Sequence, residues 1–183
     1  MLATDPRLAL SVSHTTRKPR PGEEDGRQYH FVNQELFRKL VENGEFLEHA
    51  LVFGNYYGTH AGALNRQLGQ GLDVILEIDW QGATQVKKIF PDCCSVFILP
   101  PSLEVLQQRL TRRAQDSRKV IARRMSDARA ELSHWQEFDY LVVNEEFEQA
   151  LSELKTIIEC ARSDQDCKQD EHALLLAERL GSG

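Results

Sequence analysis

The sequence predicts an α/β fold, a parallel sheet flanked by helices and carrying an inserted subdomain. Three observations carry this reading. The apolar runs Asp73–Asp79, Ser95–Leu99 and Tyr140–Val143 are nearly continuous and rich in β-branched residues, the mark of strands buried on both faces. Helical segments alternate with them, which calls for crossover connections and hence parallel pairing. A chain of 183 residues, 41% hydrophobic and 27% charged, is long enough for one sizeable core with room for an insertion.

Leu8, Leu10 and Val12 alternate with small or polar neighbours and read as a strand. A Pro/Gly/charge-rich loop follows over Arg17–Gly26. Tyr29, Phe31 and Val32 suggest a second strand, and Gln34–Asn43 a helix closed by Gly44. Phe46–Tyr57 reads as a hairpin turning at Gly54-Asn55, and Ala61–Gln70 as a helix ended by Gly71. After the run at Asp73–Asp79 come a helix over Gln81–Ile89, the strand Ser95–Leu99 stopped by Pro100-Pro101, and a basic helical stretch. The strand Tyr140–Val143 is followed by a helix from about Glu146 to Arg162, a polar connection, and a short amphipathic tail at Leu174–Leu180.

Charge and composition exclude several classes. A net charge of −6 argues against a general nucleic-acid binder. No apolar run is long enough to span a bilayer, and Met1–Leu10, with Asp5 and Arg7, lacks signal-peptide character, so the expected location is cytoplasmic. Cys93, Cys94, Cys160 and Cys167 fit no common zinc spacing and are expected as thiols in a reducing compartment. The stretch Gln107–Ala130 is an exception to the acidity, with eight basic residues against Asp116 and Asp127. Such an insert suits a small polyanionic ligand, and equally a solvated helix face.

Three stretches carry chemistry. In Ser13-His-Thr-Thr-Arg-Lys-Pro-Arg20, continuing to Tyr29, two arginines flank a rigid Lys-Pro step, and their planar forks suit bidentate phosphate contact. Taken alone, an Arg-x-x-Arg is more often surface charge. In Phe46–Thr59, Glu48 lies among apolar neighbours. Its carboxylate could accept two parallel N–H bonds from a guanine edge while hydroxyls of Ser13 and Thr59 donate to O6 and N7. An outward-facing Glu48 with packing tyrosines at 56 and 57 fits that segment equally well. Third, Glu77-Ile-Asp79 ends a buried parallel strand, where ligands of open α/β sheets bind, and could order a metal's water shell or hold an arginine fork.

Together these stretches resemble the guanylate kinase family along essentially the whole chain. The resemblance implies a P-loop NTPase-like nucleoside monophosphate kinase fold, with a GMP-binding subdomain at about residues 14–75, a lid at about 107–130, and the remainder as core. It implies transfer of the ATP γ-phosphoryl group to GMP, giving ADP and GDP, with Mg²⁺ accompanying ATP. Ser13, Glu48, Thr59 and Asp79 match the guanine-recognising group. Arg17, Arg20, Tyr29 and Tyr57 match the ligands of the GMP phosphate, with Glu23 supporting the arginines. Glu77 matches a position that is Asp in some members. Arg113 and Arg124 match lid arginines that reach the transferred phosphates, with Ala114 where glycine is usual, and Asn144 matches a position near the adenine of ATP. GMP and ATP are the expected partners, with neither nucleic acid nor membrane.

The family also implies a first strand and a glycine-rich loop G-x-x-x-x-G-K-[ST], and no such run occurs in these residues. Met1–Pro6 matches the end of the helix after that loop. The expectation is an incomplete sequence, lacking an interior strand, that binds GMP and transfers phosphate poorly or not at all. The alternative is a non-catalytic guanylate-kinase-like module that binds GMP or a phosphopeptide.

Overall fold

The computed structural model describes residues 1–2, 4–113, 118–163, 167 and 170–181, and the side chains of all of these except 112–113 and 118–124. The chain divides into two compact units, Met1–Cys93 and Cys94–Gly183.

In the first unit, β1 (Leu8–Leu10) pairs in parallel with β6 (Asp73–Ile75), Leu8 opposite Asp73 and Leu10 opposite Ile75. The expected strand Asp73–Asp79 is therefore shortened to three residues. Its partner β1 ends at Leu10, so no ladder supports the residues beyond Ile75. Between β1 and β6 the chain builds a four-stranded sheet in the order β3-β2-β5-β4. Its strands are β2 (His14–Thr15), β3 (His30–Phe31), β4 (Phe46–Val52) and β5 (Asn55–His60). The hairpin turns one residue earlier than the sequence suggests, at Phe53-Gly54, where both residues have positive φ (50° and 79°). That is the backbone a two-residue connection needs to match the strands' twist.

Helix α1 (Gln34–Glu42) starts at Asn33, whose side chain accepts from the Leu36 N–H at 2.8 Å, and stops where Gly44 takes a φ of 68°. Helix α2 (Ala61–Gly69) is capped by His60 Nδ1, which accepts from Gly62 N at 3.0 Å, and α3 (Trp80–Ile89) by Asp79. The core of this unit is aromatic. Phe37, 1% exposed, has its ring centroid 4.7 Å from Phe46 and 5.4 Å from Tyr56. Beside it three histidines meet: the His14 ring lies 4.7 Å from His30 and 5.8 Å from His60. Burial, with His30 and His60 adding, pushes His14 down to about 4, against the weaker pull of Asp25 and Glu45.

In the second unit, β7 (Val96–Leu99) and β8 (Tyr140–Val143) form a parallel pair in continuous register. The helices are α4 (Leu103–Arg113), α5 (Arg118–Leu132), α6 (Phe147–Arg162) and α7 (Glu171–Gly181), with a 3₁₀ turn at Trp135–Glu137. The tail is a core element: Ala173, Leu176, Ala177 and Leu180 of α7 pack with Leu99, Leu132 and Leu141. The sequence reading of Cys160 and Cys167 as thiols is corrected here. They form a disulfide that ties the end of α6 to the segment before α7, with Cα atoms 5.9 Å apart. Cys167 lies back against α6, its N–H donating to the Tyr140 hydroxyl at 3.3 Å and its Sγ 3.6 Å from Thr156 O, which brings the two cysteines within bridging reach and which their sequence spacing alone did not reveal.

Parallel pairing is thus present as two separate two-stranded pairs. One pair lies in each unit.

Phe37→Ala is expected to lower the free energy of unfolding by about 3–5 kcal/mol, measured by urea titration. His14 is bound neutral, with its folded value depressed from 6.5 to about 4, so its contribution is intact above 6.5 and lost as pH falls through that window. His14→Gln should flatten the dependence of Tm on pH between 6.5 and 4, and an unaltered slope would contradict this origin.

Candidate functional site

Two polar clusters form in the first unit. The first starts from Thr15 and Thr16. The buried Thr15 hydroxyl donates to Tyr56 O (3.1 Å) and accepts from Arg17 N–H (3.1 Å), while Thr16 Oγ1 accepts from Tyr56 N–H (2.9 Å). The Thr-Thr step therefore pins the start of the charged loop to β5. Arg17 then reaches Glu23 through a two-pronged pair, Nη1–Oε2 and Nη2–Oε1, both 2.9 Å. Its Nη1 also donates to Lys18 O at 2.8 Å. Glu23 accepts as well from the Arg20 N–H at 2.7 Å, which closes the loop, while the Arg20 side chain remains exposed.

The Arg17 guanidinium stands 5.3 Å from the Tyr29 ring centroid and 5.7 Å from that of Phe31. Tyr29 meets Tyr57 edge to face at 5.8 Å. Hydrogen bonding to Arg17 holds the Glu23 carboxyl below the usual range, and Glu23, with Tyr57 adding, strengthens the charge on Arg17. Burial raises the Tyr29 hydroxyl, helped by Tyr57 and Glu77, so it stays a donor at neutral pH. Glu77, itself exposed, is thereby placed within electrostatic reach of this cluster.

The second cluster is built on the β4–β5 hairpin. The bulge between Phe46 and Glu48 sets Glu48 opposite Thr59 and turns Glu48 and Ala50 inward, leaving His49 and Leu51 outside. This overturns the outward-facing alternative for Glu48: the residue is 3% exposed. Burial pushes its carboxyl upward, Thr59 opposes this, and the nearby Asp79 charge adds to it. Thr59 is fully buried, and its Oγ1 has no hydrogen-bond partner of good geometry, although it lies close enough to Glu48 to favour the charge. A buried carboxylate beside an unspent hydroxyl is a costly arrangement for folding and a ready one for a polar ligand. Ser13 is buried (7% exposed), and its carbonyl accepts from His30 N–H.

Asp79 has a structural duty that the sequence reading did not include. Its Oδ1 accepts from Gly82 N–H (3.0 Å) and its Oδ2 from Gln81 Nε2 (2.9 Å), making it the N-cap of α3. The helix is fastened to the edge strand β4 by Gln85, which donates to His49 O (2.9 Å) and accepts from His49 N–H (3.2 Å), as a neighbouring strand would. Thr15, Thr16, Phe31 and Gln85 were not singled out from the sequence. The Thr-Thr pair immediately before Arg17 was the available signal, whereas nothing local marks Gln85.

In the second unit, Asn144 follows β8. Its N–H donates to Leu99 O and its carbonyl accepts from Arg109 Nη2, each at 2.8 Å. The side chains of Arg113 and Arg124, and Ala114 altogether, lie outside the described residues. Among the described residues there is no group of three or more His, Cys, Asp or Glu side chains that could hold a metal ion.

An α/β fold with an arginine–carboxylate clamp beside two tyrosines, and a buried carboxylate on the adjoining hairpin, is an arrangement suited to a small ligand with both an anionic and a polar part. Comparison with known proteins narrows the class. The guanylate kinase family model matches residues 2–161. The chain is 54% identical over 180 residues to a guanylate kinase of Alkalilimnicola ehrlichii, covering 98% of this chain and 87% of that protein. To one of Thiobacillus denitrificans it is 50% identical over 178 residues, covering 97% and 85%. The crystal structure of guanylate kinase from Anaplasma phagocytophilum superposes with a TM-score of 0.75 at 36% identity, covering 96% of this chain and 86% of that one. The chain belongs to the guanylate kinase family.

Because the Glu48 carboxyl is raised in the folded protein, its ionisation weakens the fold as pH climbs above the ordinary carboxylate value. Glu48→Gln should therefore raise the Tm of the ligand-free protein at neutral pH. The gain should vanish below the ordinary carboxylate range, where the wild-type group is protonated both folded and unfolded; a lower Tm at pH 7 would refute the assignment.

Proposed function

We propose that this chain is a guanylate kinase in which residues 14–75 hold GMP, residues 107–130 form the lid, and the γ-phosphoryl group of ATP passes to GMP, giving ADP and GDP. The observation that carries the proposal is the buried Glu48 with Thr59 opposite it, in the same unit as the Arg17–Glu23 clamp. A nucleoside monophosphate needs both: a pair of acceptors for a base edge and fixed donors for a phosphate.

Glu48 accepts the N1–H and 2-amino protons of guanine, and Ser13 and Thr59 donate hydroxyl protons to its carbonyl and ring nitrogen. Adenine presents the opposite pattern and would leave the buried carboxylate unmatched. Arg17 has spent three of its donor contacts on Glu23 and Lys18, so Glu23 sets the direction of the remaining N–H groups. Arg20, Tyr29 and Tyr57 complete the phosphate ligands with Glu77 beside them, and Asp79 stands with Glu48 in the guanine-recognising group. Positioning and charge neutralisation then do the catalysis, with Arg113 and Arg124 of the lid stabilising charge on the transferred group. Asn144, its backbone fixed from both sides, borders the adenine of ATP.

Mg²⁺ fits these residues only through water and substrate phosphates. Both Asp79 oxygens already accept protein hydrogen bonds, and inner-sphere ligation would break the cap of α3. When bound, the ion would supply charge neutralisation at the substrate phosphates, and Glu77 and Asp79 would order its water shell. The glycine-rich ATP phosphate loop is not among these 183 residues. The direct test is therefore GMP binding.

Calorimetry should give saturable GMP binding. Glu48→Ala should weaken it by about 100-fold and Arg17→Ala by about 10- to 100-fold, the losses expected for unpairing a charged hydrogen-bonding site. A protein that binds a phosphopeptide but not GMP, unaffected by Glu48→Ala, would instead be a non-catalytic binding module.

A further inference from the structure

Gly82 stands in the first turn of α3, where glycine is disfavoured against alanine, so its presence asks for a local reason. Its φ is not in the left-handed region, which leaves space as the reason. A Cβ placed there would lie 2.6 Å from Glu48 Oε2, 3.1 Å from Glu48 Cδ and 3.2 Å from Ile78 Cβ. The first of these is closer than real Cβ contacts come. The helix has little freedom to yield. Asp79 caps it through the Gly82 N–H itself, and Gln85 fixes its next turn to the His49 backbone. His49 adjoins Glu48, so helix and carboxylate are fastened to the same stretch of β4. The Glu48 main chain is confined as well, by its pairing opposite Thr59 in the β4–β5 ladder. What can move is the carboxylate.

We infer that Gly82 is a specificity-determining residue for the guanine base: the missing side chain is the space in which the Glu48 carboxylate stands when it faces the N1–H and the 2-amino group. This rests on the GMP reading and extends it from the group that touches the base to the residue that aims that group. A methyl at position 82 pushes the carboxylate off its site, and the phosphate cluster around Arg17 and Glu23 keeps its own pairing.

The test compares GMP with inosine monophosphate, which lacks the 2-amino group, by calorimetry on the full chain, with circular dichroism melts as the fold control. Wild type is expected to prefer GMP by at least about tenfold. Gly82→Ala should lower GMP affinity by about 10- to 100-fold and bring the ratio of the two affinities close to one. Adding Glu48→Asp to Gly82→Ala withdraws the carboxylate by one methylene, so the double variant should recover part of the preference, which a general loss of packing would not allow. A Gly82→Ala protein with the wild-type ratio overturns the inference. So does a folded double variant without recovery, because the collision would then be with Ile78. Wild type without any preference overturns the guanine reading itself, and the role of Gly82 with it.

Discussion

The arrangement in the first unit depends on one constraint: the Glu48 carboxylate is held out of water at the meeting of a strand and a helix. An isolated ionised carboxylate in such a place is costly, and the burial that raises its proton affinity expresses that cost. The surrounding structure is organised to tolerate it. A bulge turns the side chain inward, Thr59 stands opposite, and α3 approaches closely because residue 82 has no side chain. Gln85 completes the approach by occupying an edge of β4 that would otherwise lack a partner.

The arginine cluster follows a different logic. Arg17 and Glu23 keep partial access to solvent, so their pairing contributes modestly to stability and mainly to direction. Two threonine hydroxyls set where the loop leaves the sheet, and Glu23 gathers both the Arg17 fork and the Arg20 N–H. The result is a preorganised donor set that needs little ordering when an anion arrives. The two clusters thus differ in kind: one offers fixed cationic donors, the other a buried, under-satisfied acceptor.

Much of this was legible in the sequence. Helix ends at Gly44 and Gly71, the strand Tyr140–Val143 and the grouping of Arg17, Glu23 and Tyr29 follow from local patterns, because capping, periodicity and short loops act over a few residues. The turn at Phe53-Gly54 was displaced by one residue because a bulky residue at positive φ carries no sequence signal. The strand Asp73–Asp79 was read too long, since its apolar run does not reveal how far the partner strand extends. The Cys160–Cys167 link was read as two thiols, because pairing depends on where the chain after α6 returns.

The sequence by itself determined the family, the residues offered to each cluster and the order of strands and helices, since these depend on residue type and short-range spacing. Whether Glu48 faces inward, whether Asp79 caps a helix, and how closely residue 82 approaches the Glu48 carboxylate were decided only by the tertiary structure. Each depends on which atoms the folded chain brings together, Glu48 with Thr59 across the hairpin, Asp79 with the first turn of α3, and Gly82 with the Glu48 carboxylate, at distances set by packing rather than by residue type.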